Sequence, residues 1–77
     1  MGTRRDFVDG ITDTILEDTM SSTVTYYGKA KPGTEIHEAK WQIMRVQTID
    51  GVTYYEWARG NPMYVHQWNQ RLLYFYK

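Results

Sequence analysis

The chain has 77 residues, of which 42% are hydrophobic and 16% aromatic, with nine basic side chains, nine acidic side chains and no cysteine. Such a length gives one small domain with a marginal core, and the absence of cysteine excludes disulfides and thiolate-bound zinc as its cross-links. A formal charge of zero gives no general attraction to nucleic acid or to an anionic membrane, so we expect a protein partner to supply the missing stability.

Charge is distributed unevenly along the chain. Residues 1–20 carry two basic and five acidic side chains, a net charge of minus three, whereas residues 21–77 carry seven basic and four acidic side chains, a net charge of plus three. We therefore predict two parts: an acidic N-terminal arm, residues 1–22, and a small β-barrel domain, residues 23–77. The serines at 21 and 22 form the joint between them.

The segment from 5 to 20 has an ambiguous apolar pattern. Phe7, Ile11 and Ile15 recur every four residues, as on one face of a helix, but they also alternate with acidic residues as in a strand. Gly10 and several threonines weaken the helix. We favour the helix and keep the extended alternative, and we expect these three apolar side chains to contact a partner.

From Thr23 onward the composition is typical of strands. The run TVTYYGKA is β-branched and aromatic, and KPGTE at 31–35 supplies a turn. Asp50 and Gly51 then separate two β-rich runs, and this dipeptide favours a two-residue hairpin turn because both positions tolerate a positive φ. We expect Gly51 to tolerate substitution less well than Gly33, which lies in a longer loop.

The Asp-Gly turn fixes the register of the hairpin, with opposite residue numbers summing to 101. Arg45 then faces Glu56 as an ion pair. Further pairs follow from the same register: Met44 with Trp57, Val46 with Tyr55, Ile43 with Ala58, and Trp41 with Gly60, where the indole would cover the glycine backbone.

Both faces of this hairpin carry large apolar side chains, which an open sheet with one solvated face would not show. After the hairpin, GNP at 60–62 ends the strand, and MYVHQWNQ fits one helical or 3₁₀ turn. RLLYFYK at 71–77 is predicted to form the last strand.

The predicted fold is mainly β: an antiparallel meander or SH3-like, partly open barrel of four to five strands with one short helical turn before the last strand. Its last strand is a weakly protected edge, so we expect Leu73 and Phe75 to contact partners.

Few residues offer chemistry. Glu35, His37 and Glu38 form a cluster whose spacing matches neither a zincin helix nor a zinc finger, and His66 is distant in sequence. The stretch GKAKPGT at 28–34 lacks the glycine and lysine spacing of a phosphate-binding Walker loop. Without a nucleophile beside a base, the sequence predicts no enzyme, no cofactor and no metal.

The alternative function is binding of single-stranded nucleic acid or of a peptide by a small barrel that stacks bases on exposed rings. The candidate rings are those of Tyr26, Tyr27, Tyr54, Tyr55, Tyr74 and Tyr76. The candidate cations are Lys29, Lys31, Arg45, Arg59 and Arg71. The same rings are also most of the apolar groups available for a core, so nucleic acid is the less favoured partner.

No apolar run approaches the roughly 20 residues of a membrane span, and the start of the chain lacks the hydrophobic stretch of a signal peptide. We therefore expect a protein that is made in the cytoplasm and has no membrane partner.

A set of short motifs resembles one family. The chain is similar to small virion-associated structural proteins of tailed bacteriophages, whose pattern combines Gly-Lys-Ala, Trp-Gln-Ile-x-Arg, Trp-Ala-x-Gly-Asn and Trp-x-x-Arg within residues 24–76. The matching positions are Tyr26, Gly28, Lys29, Ala30, Trp41, Gln42, Ile43, Arg45, Trp57, Ala58, Gly60, Asn61, Trp68 and Arg71. In that family acidic residues are usual at the position of Arg59 and around Trp68, so surface contacts here are expected to differ.

The resemblance implies a place in a virion assembled inside the host cytoplasm. Neighbouring subunits repeat around a symmetry axis in such a particle and stabilise a marginal domain. The partners would be other virion proteins and further copies of this chain. The expected structural core is Trp41, Ile43, Trp57 and Trp68, and the expected register-setting residues are Arg45, Glu56, Asp50 and Gly51.

Overall fold

The computed structural model describes residues 13–77 and shows a mainly β fold. Four antiparallel strands form one open sheet in the order of the chain: β1 Thr14–Thr19, β2 Val24–Ala30, β3 Gln42–Ile49 and β4 Val52–Trp57. The part of the chain that is described has no α-helix and a single 3₁₀ turn, Trp68–Gln70. The antiparallel meander and the short helical turn are confirmed, whereas the SH3-like, partly open barrel is not confirmed.

The first strand lies where we favoured a helix, so the helical prediction is wrong for residues 14–19. Side-chain burial alternates along β1, and Leu16 lies opposite Gly28 in the antiparallel pairing with β2. The turn to β2 is held by Ser21, whose Oγ accepts hydrogen bonds from the backbone N–H groups of Thr23 and Val24. A separate arm of residues 1–22 is therefore not confirmed, and Phe7 and Ile11 lie outside the described residues.

The β3–β4 hairpin has the register that the Asp-Gly turn predicts. Ile49 lies opposite Val52, and Arg45 lies opposite Glu56. Asp50 and Gly51 have φ angles of 50° and 80°, the left-handed values that a type I′ turn requires at both central positions. This turn matches the right-handed twist of the strands, which is why two residues suffice to reverse the chain.

The predicted pairing of Trp41 with Gly60 is wrong. Residues 58–61 form a second tight turn, in which Arg59 and Gly60 have φ angles of 53° and 65° and the N–H of Asn61 donates to the carbonyl of Ala58. The hairpin ladder therefore stops at Ala58. Trp41 exchanges both backbone hydrogen bonds with His66 instead, at 2.9 and 3.0 Å.

One face of the sheet, the inner face, carries the core. Residues 61–77, which we call the cover segment, lie across this face and add Trp68, Tyr74 and Tyr76 to it. Apolar side chains rise toward the cover segment from all four strands or their ends: Leu16, Val24, Tyr26, Ala30, Trp41, Ile43 and Ala58. Trp41 and Ile43 are fully buried, and the short side chains of Ala30 and Ala58 leave room for the rings.

Trp68 anchors the cover segment by lying flat on a glycine of β2. A Cβ atom built on Gly28 would lie 2.6 Å from Cζ3 of Trp68 and closer still to Cε3, so only glycine fits beneath the indole. The guanidinium carbon of Arg71 lies 4.5 Å from the centroid of the same indole. Arg71 also donates two hydrogen bonds to Oδ2 of Asp18 in β1, at 2.9 and 3.0 Å, and thereby ties the cover segment to the first strand.

The predicted last strand, 71–77, is much shorter than expected. Residues 71–73 form a turn, and a single bridge pairs Tyr76 with Ala58. Around this bridge Trp57 and Lys77 exchange hydrogen bonds of 3.0 and 3.1 Å, and the N–H of Arg59 donates to the carbonyl of Phe75 at 2.7 Å. This short pairing nevertheless covers the outward backbone groups at the end of β4.

The loop between β2 and β3 holds the other end of the cover segment. The indole Nε1 of Trp41 donates to the carbonyl of Glu35, and the N–H of Asn69 donates to the carbonyl of Ile36. Gly33 in this loop has a φ of 90° and Gly51 a φ of 80°, and neither has an atom within 4 Å of an added Cβ. The basis for expecting a large difference between the two glycines is therefore wrong.

The contact between Trp68 and Gly28 gives a stability prediction. Gly28→Ala should lower the free energy of unfolding by about 1–3 kcal/mol, because overpacking forces the indole or the strand to shift. In a domain of this size each kcal/mol corresponds to roughly 4–8 °C of Tm. Thermal and urea unfolding would measure the change. The matched control is the same substitution in a Trp68→Leu background, where the effect should shrink, and an equal effect in both backgrounds would contradict the packing argument.

Candidate functional site

The surface of the sheet opposite the cover segment, the outer face, carries apolar side chains from all four strands. Side chains alternate along each strand, so the residues between the core positions point to this face. None of the residues of the core cluster belongs to it. Its apolar members are Ile15, Tyr27, Met44, Val46, Tyr55 and Trp57.

Three of these side chains form a continuous row. Tyr27 lies opposite Met44, and Met44 lies opposite Trp57, so one row crosses β2, β3 and β4. Together with Ile15 they line a shallow cleft of about 270 Å³. Ile15 and Tyr55 are 65% and 67% exposed.

The outer face meets two open strand edges. In an antiparallel ladder, alternate residues direct both backbone groups to the same neighbour. The hydrogen bond from the N–H of Met20 to the carbonyl of Val24 fixes this alternation in β1, so Ile15, Glu17 and Thr19 direct their backbone groups away from β2. In β4 the hydrogen bond from the N–H of Ala58 to the carbonyl of Ile43 shows that the even-numbered residues direct their backbone groups toward β3.

The outward residues of β4 are therefore Thr53, Tyr55 and Trp57, and Lys77 binds the last of these. Thr53 and Tyr55 have no backbone partner among residues 13–77. Both edges thus offer unpaired N–H and C=O groups, and on both the outward residues carry side chains of the outer face.

The residues predicted as core do not all lie together. Trp41, Ile43 and Trp68 are buried on the inner face or against it, whereas Trp57 is half-buried on the outer face. The residues predicted as partner contacts are accessible where the structure describes them: Ile15 on the outer face, and Leu73 and Phe75, 79% and 64% exposed, on the cover segment.

The basic and aromatic residues proposed for nucleic acid do not form one groove. Tyr26 and Tyr76 lie in the core with ring centroids 5.5 Å apart. Arg45 donates to Glu56 at 2.7 Å and lies over the ring of Tyr76. Arg71 likewise donates to Asp18 and lies over the ring of Trp68. Lys29 lies 3.7 Å from the carboxylate of Asp13, so three of the five candidate cations have carboxylate partners within the fold.

His66 is the one buried polar or charged residue among residues 13–77, with no exposed surface. Neither of its ring nitrogens has a hydrogen-bond partner, and its ring meets Tyr74 edge-on at 5.2 Å. Burial, followed by the positive charge of Arg59, lowers the pKa of His66, and the carbonyls of Met63 and Trp41 act weakly in the opposite direction. A neutral imidazole sealed from solvent serves packing and has no access to a substrate.

The predicted metal-like cluster is a solvated turn. Glu38 accepts a hydrogen bond from the backbone N–H of Glu35 at 2.8 Å, which lowers the pKa of its carboxyl group, and Lys40 beside it adds to the effect. Within residues 13–77, no three histidine, aspartate or glutamate side chains approach one another closely enough to hold a metal ion.

The phosphate-like stretch borders a cleft of mixed charge. A cavity of about 550 Å³ is lined by Lys31 and Lys40 together with the carboxylate of Asp13, and by Thr34 and Tyr64. Asp13 lies 3.7 Å from the ammonium group of Lys29. A carboxylate among the lysines makes this cleft a poor anion site.

Sequence reasoning missed the packing partners that hold the site in place. Gly28 carried a signal, since a glycine inside a strand pattern indicates a close approach of another group. The ion pair between Asp18 and Arg71 carried none, because its partners are 53 positions apart and opposite charges alone do not specify a contact.

No helix among the described residues has the length and apolar character needed to cross a membrane. Comparison of the chain with protein-family models, with curated proteins and with solved structures found no match in any of the three.

The buried histidine makes stability depend on pH. The unfolded chain takes up a proton as pH falls through about 6.5, but the folded chain resists protonation until a lower pH because its pKa is lowered. The free energy of unfolding should therefore be highest above about pH 6.5 and fall below it, by up to about 1.4 kcal/mol per pH unit.

His66→Leu should flatten this dependence between about pH 7 and 5. Urea unfolding at a series of pH values would measure both slopes, and His37→Gln, which changes an exposed histidine, is the control. An unchanged slope in His66→Leu would show that another group sets the acid sensitivity.

Proposed function

We propose that this chain is a non-enzymatic structural component of a tailed-bacteriophage virion that works by packing against neighbouring subunits. The observation that carries the proposal is the distribution of apolar side chains. Among residues 13–77, six hydrophobic residues form the buried core, whereas thirteen large ones are exposed. A small domain with more large apolar groups outside than inside gains stability when neighbours cover them.

The use of the polar side chains supports a role without chemistry. Arg45 and Arg71 are held by Glu56 and Asp18, and the ring of His66 is sealed in the core. These two ion pairs and the buried imidazole therefore stabilise the sheet and its cover segment, whereas thirteen large hydrophobic side chains are exposed and available for protein contacts.

The phage part of the proposal rests on the resemblance of the motifs, and the structure gives those motifs physical roles. Gly28, Trp68 and Arg71 form the stack that fixes the cover segment. Trp41 and Ile43 fill the core, and Arg45 forms an ion pair with Glu56 across the hairpin. A family of virion proteins with these residues would share this small, two-sided scaffold.

The direct test is to locate the protein. Tailed particles produced by the phage that encodes the chain should contain it in a fixed copy number, measured by quantitative mass spectrometry of purified virions. Deleting the gene should stop assembly at a defined step that electron microscopy can identify. Particles that lack the protein and assemble normally would contradict the proposal.

A charge on the outer face should block incorporation without unfolding the domain. Met44→Lys keeps an aliphatic stem beside Tyr27 and Trp57, but covering its ammonium group would leave an unpaired buried charge, which costs several kcal/mol. We therefore expect incorporation into particles to fall by about tenfold or more, since 1.4 kcal/mol corresponds to tenfold. The measurement is the ratio of variant to unmodified protein in particles formed when both are co-expressed.

The control is Ala39→Lys, which adds the same charge in the exposed loop between β2 and β3. Both variants should retain a cooperative unfolding transition. Normal incorporation of Met44→Lys would exclude the outer face as a contact surface.

A further inference from the structure

The two open edges of the sheet are complementary to each other. β1 offers the outward backbone groups of Ile15, Glu17 and Thr19, and β4 offers those of Thr53 and Tyr55. Nothing within residues 13–77 pairs with these groups. An exposed row of this kind readily accepts a strand from another chain.

The number of strands determines how two copies can join. In an antiparallel meander of four strands, β1 and β4 run in opposite directions. A second copy placed beside the first in the same orientation therefore sets its β1 antiparallel to β4 and continues the alternation. The outward residues of both edges carry outer-face side chains, so this junction also makes the two outer faces one continuous surface.

Lys77 limits the register of such a junction. It binds the backbone groups of Trp57, so an added strand can pair only with the part of β4 nearer the hairpin turn. The six residues of β1 fit beside residues 51–56 when Ile15 lies opposite Tyr55. This register covers two side chains that are 65% and 67% exposed in the single chain, and it sets Glu17 against Thr53.

The other ways of joining identical edges are less favourable. A two-fold junction of β1 with β1 centred on its outward residues would place Glu17 against Glu17 of the other copy, and like charges directly opposite destabilise a sheet. A two-fold junction of β4 with β4 would pair only Thr53 and Tyr55 and would leave both β1 edges open. The head-to-tail junction alone uses both edges.

From this geometry we infer that copies of this chain assemble head to tail, with β4 of one copy hydrogen-bonded to β1 of the next in the register that pairs Tyr55 with Ile15. Such a heterologous contact repeats until it closes into a ring or extends as a filament. The inference rests on the proposed structural role and specifies its partner, a second copy, and the strands that bind it.

Cysteine cross-linking tests the junction cleanly because the chain has no cysteine of its own. In the double variant Ile15→Cys/Tyr55→Cys, the paired positions would lie within the roughly 4.4–6.8 Å between Cα atoms that a disulfide spans. Mild oxidation of the assembled protein should then give a ladder of dimers, trimers and larger covalent species on a non-reducing gel.

The matched control is Ile15→Cys/Leu73→Cys, since Leu73 is at least as exposed but lies away from the β4 edge. It should give no ladder. Absence of a ladder in the first variant, or equal ladders in both, would overturn the inference. Efficient dimers of the variant Thr53→Cys/Tyr55→Cys, which has no cysteine in β1, would indicate the β4–β4 junction instead and would overturn it as well.

A second variant tests the backbone without a cross-link. Glu17→Pro removes an N–H that points away from β2, and proline is tolerated on an edge strand at such a position. The variant should unfold cooperatively but lose the assembled species in sedimentation analysis. Unchanged assembly of this folded variant would exclude pairing through β1.

The same variants separate this inference from the proposed function. If the protein is present in purified particles but the Ile15–Tyr55 pair gives no ladder there, the junction is wrong and the structural role stands. If the ladder forms in solution but particles assemble normally without the protein, the virion role is wrong and the self-assembly stands.

Discussion

The rest of this structure depends on one contact, that of the Trp68 indole with the bare backbone of Gly28. It brings the cover segment within reach of the sheet, and the other cross-sheet contacts follow from it. Arg71 reaches Asp18 only because its guanidinium lies on the same indole. Tyr76 then packs on Tyr26, and His66 closes the end of the sheet beside Trp41. A side chain on residue 28 would force the indole or the strand to shift.

Within residues 13–77, the cover segment packs on one face of the sheet only. The cover segment packs on the inner face and is held there by the loop between β2 and β3. No residue of the core cluster belongs to the outer face. The two apolar faces of the hairpin therefore have different roles: Trp41 and Ile43 give the domain its stability, whereas Met44 and Trp57 remain available to neighbours. In the proposed structural role, neighbouring subunits would cover the outer face.

The strongest local signals could be predicted from the sequence. Asp50 and Gly51 placed the hairpin turn and its register, because a two-residue turn leaves one geometry for the strands. Residues 14–19 could not be assigned, since an apolar spacing of four satisfies both a helix and a strand, and pairing with β2 decided between them. The prediction paired Trp41 with Gly60 because it extended the ladder through residues 58–61, which form a second turn. In this turn Arg59 has a left-handed backbone conformation, which an arginine in the sequence does not indicate.

The open part of the β4 edge depends on the pairing of Lys77 with Trp57. No local sequence pattern predicts this pairing.

The ion pair between Asp18 and Arg71 has a kinetic consequence. Its two partners are separated by 53 positions, so the chain must close a loop of most of its length before this contact can form, and loop closure slows folding of high-contact-order topologies. Hairpins such as β3–β4 can form in microseconds, but they lack the contacts that hold them. The domain should therefore fold in one late, cooperative step, and fragments that lack either partner of this ion pair should not retain the structure.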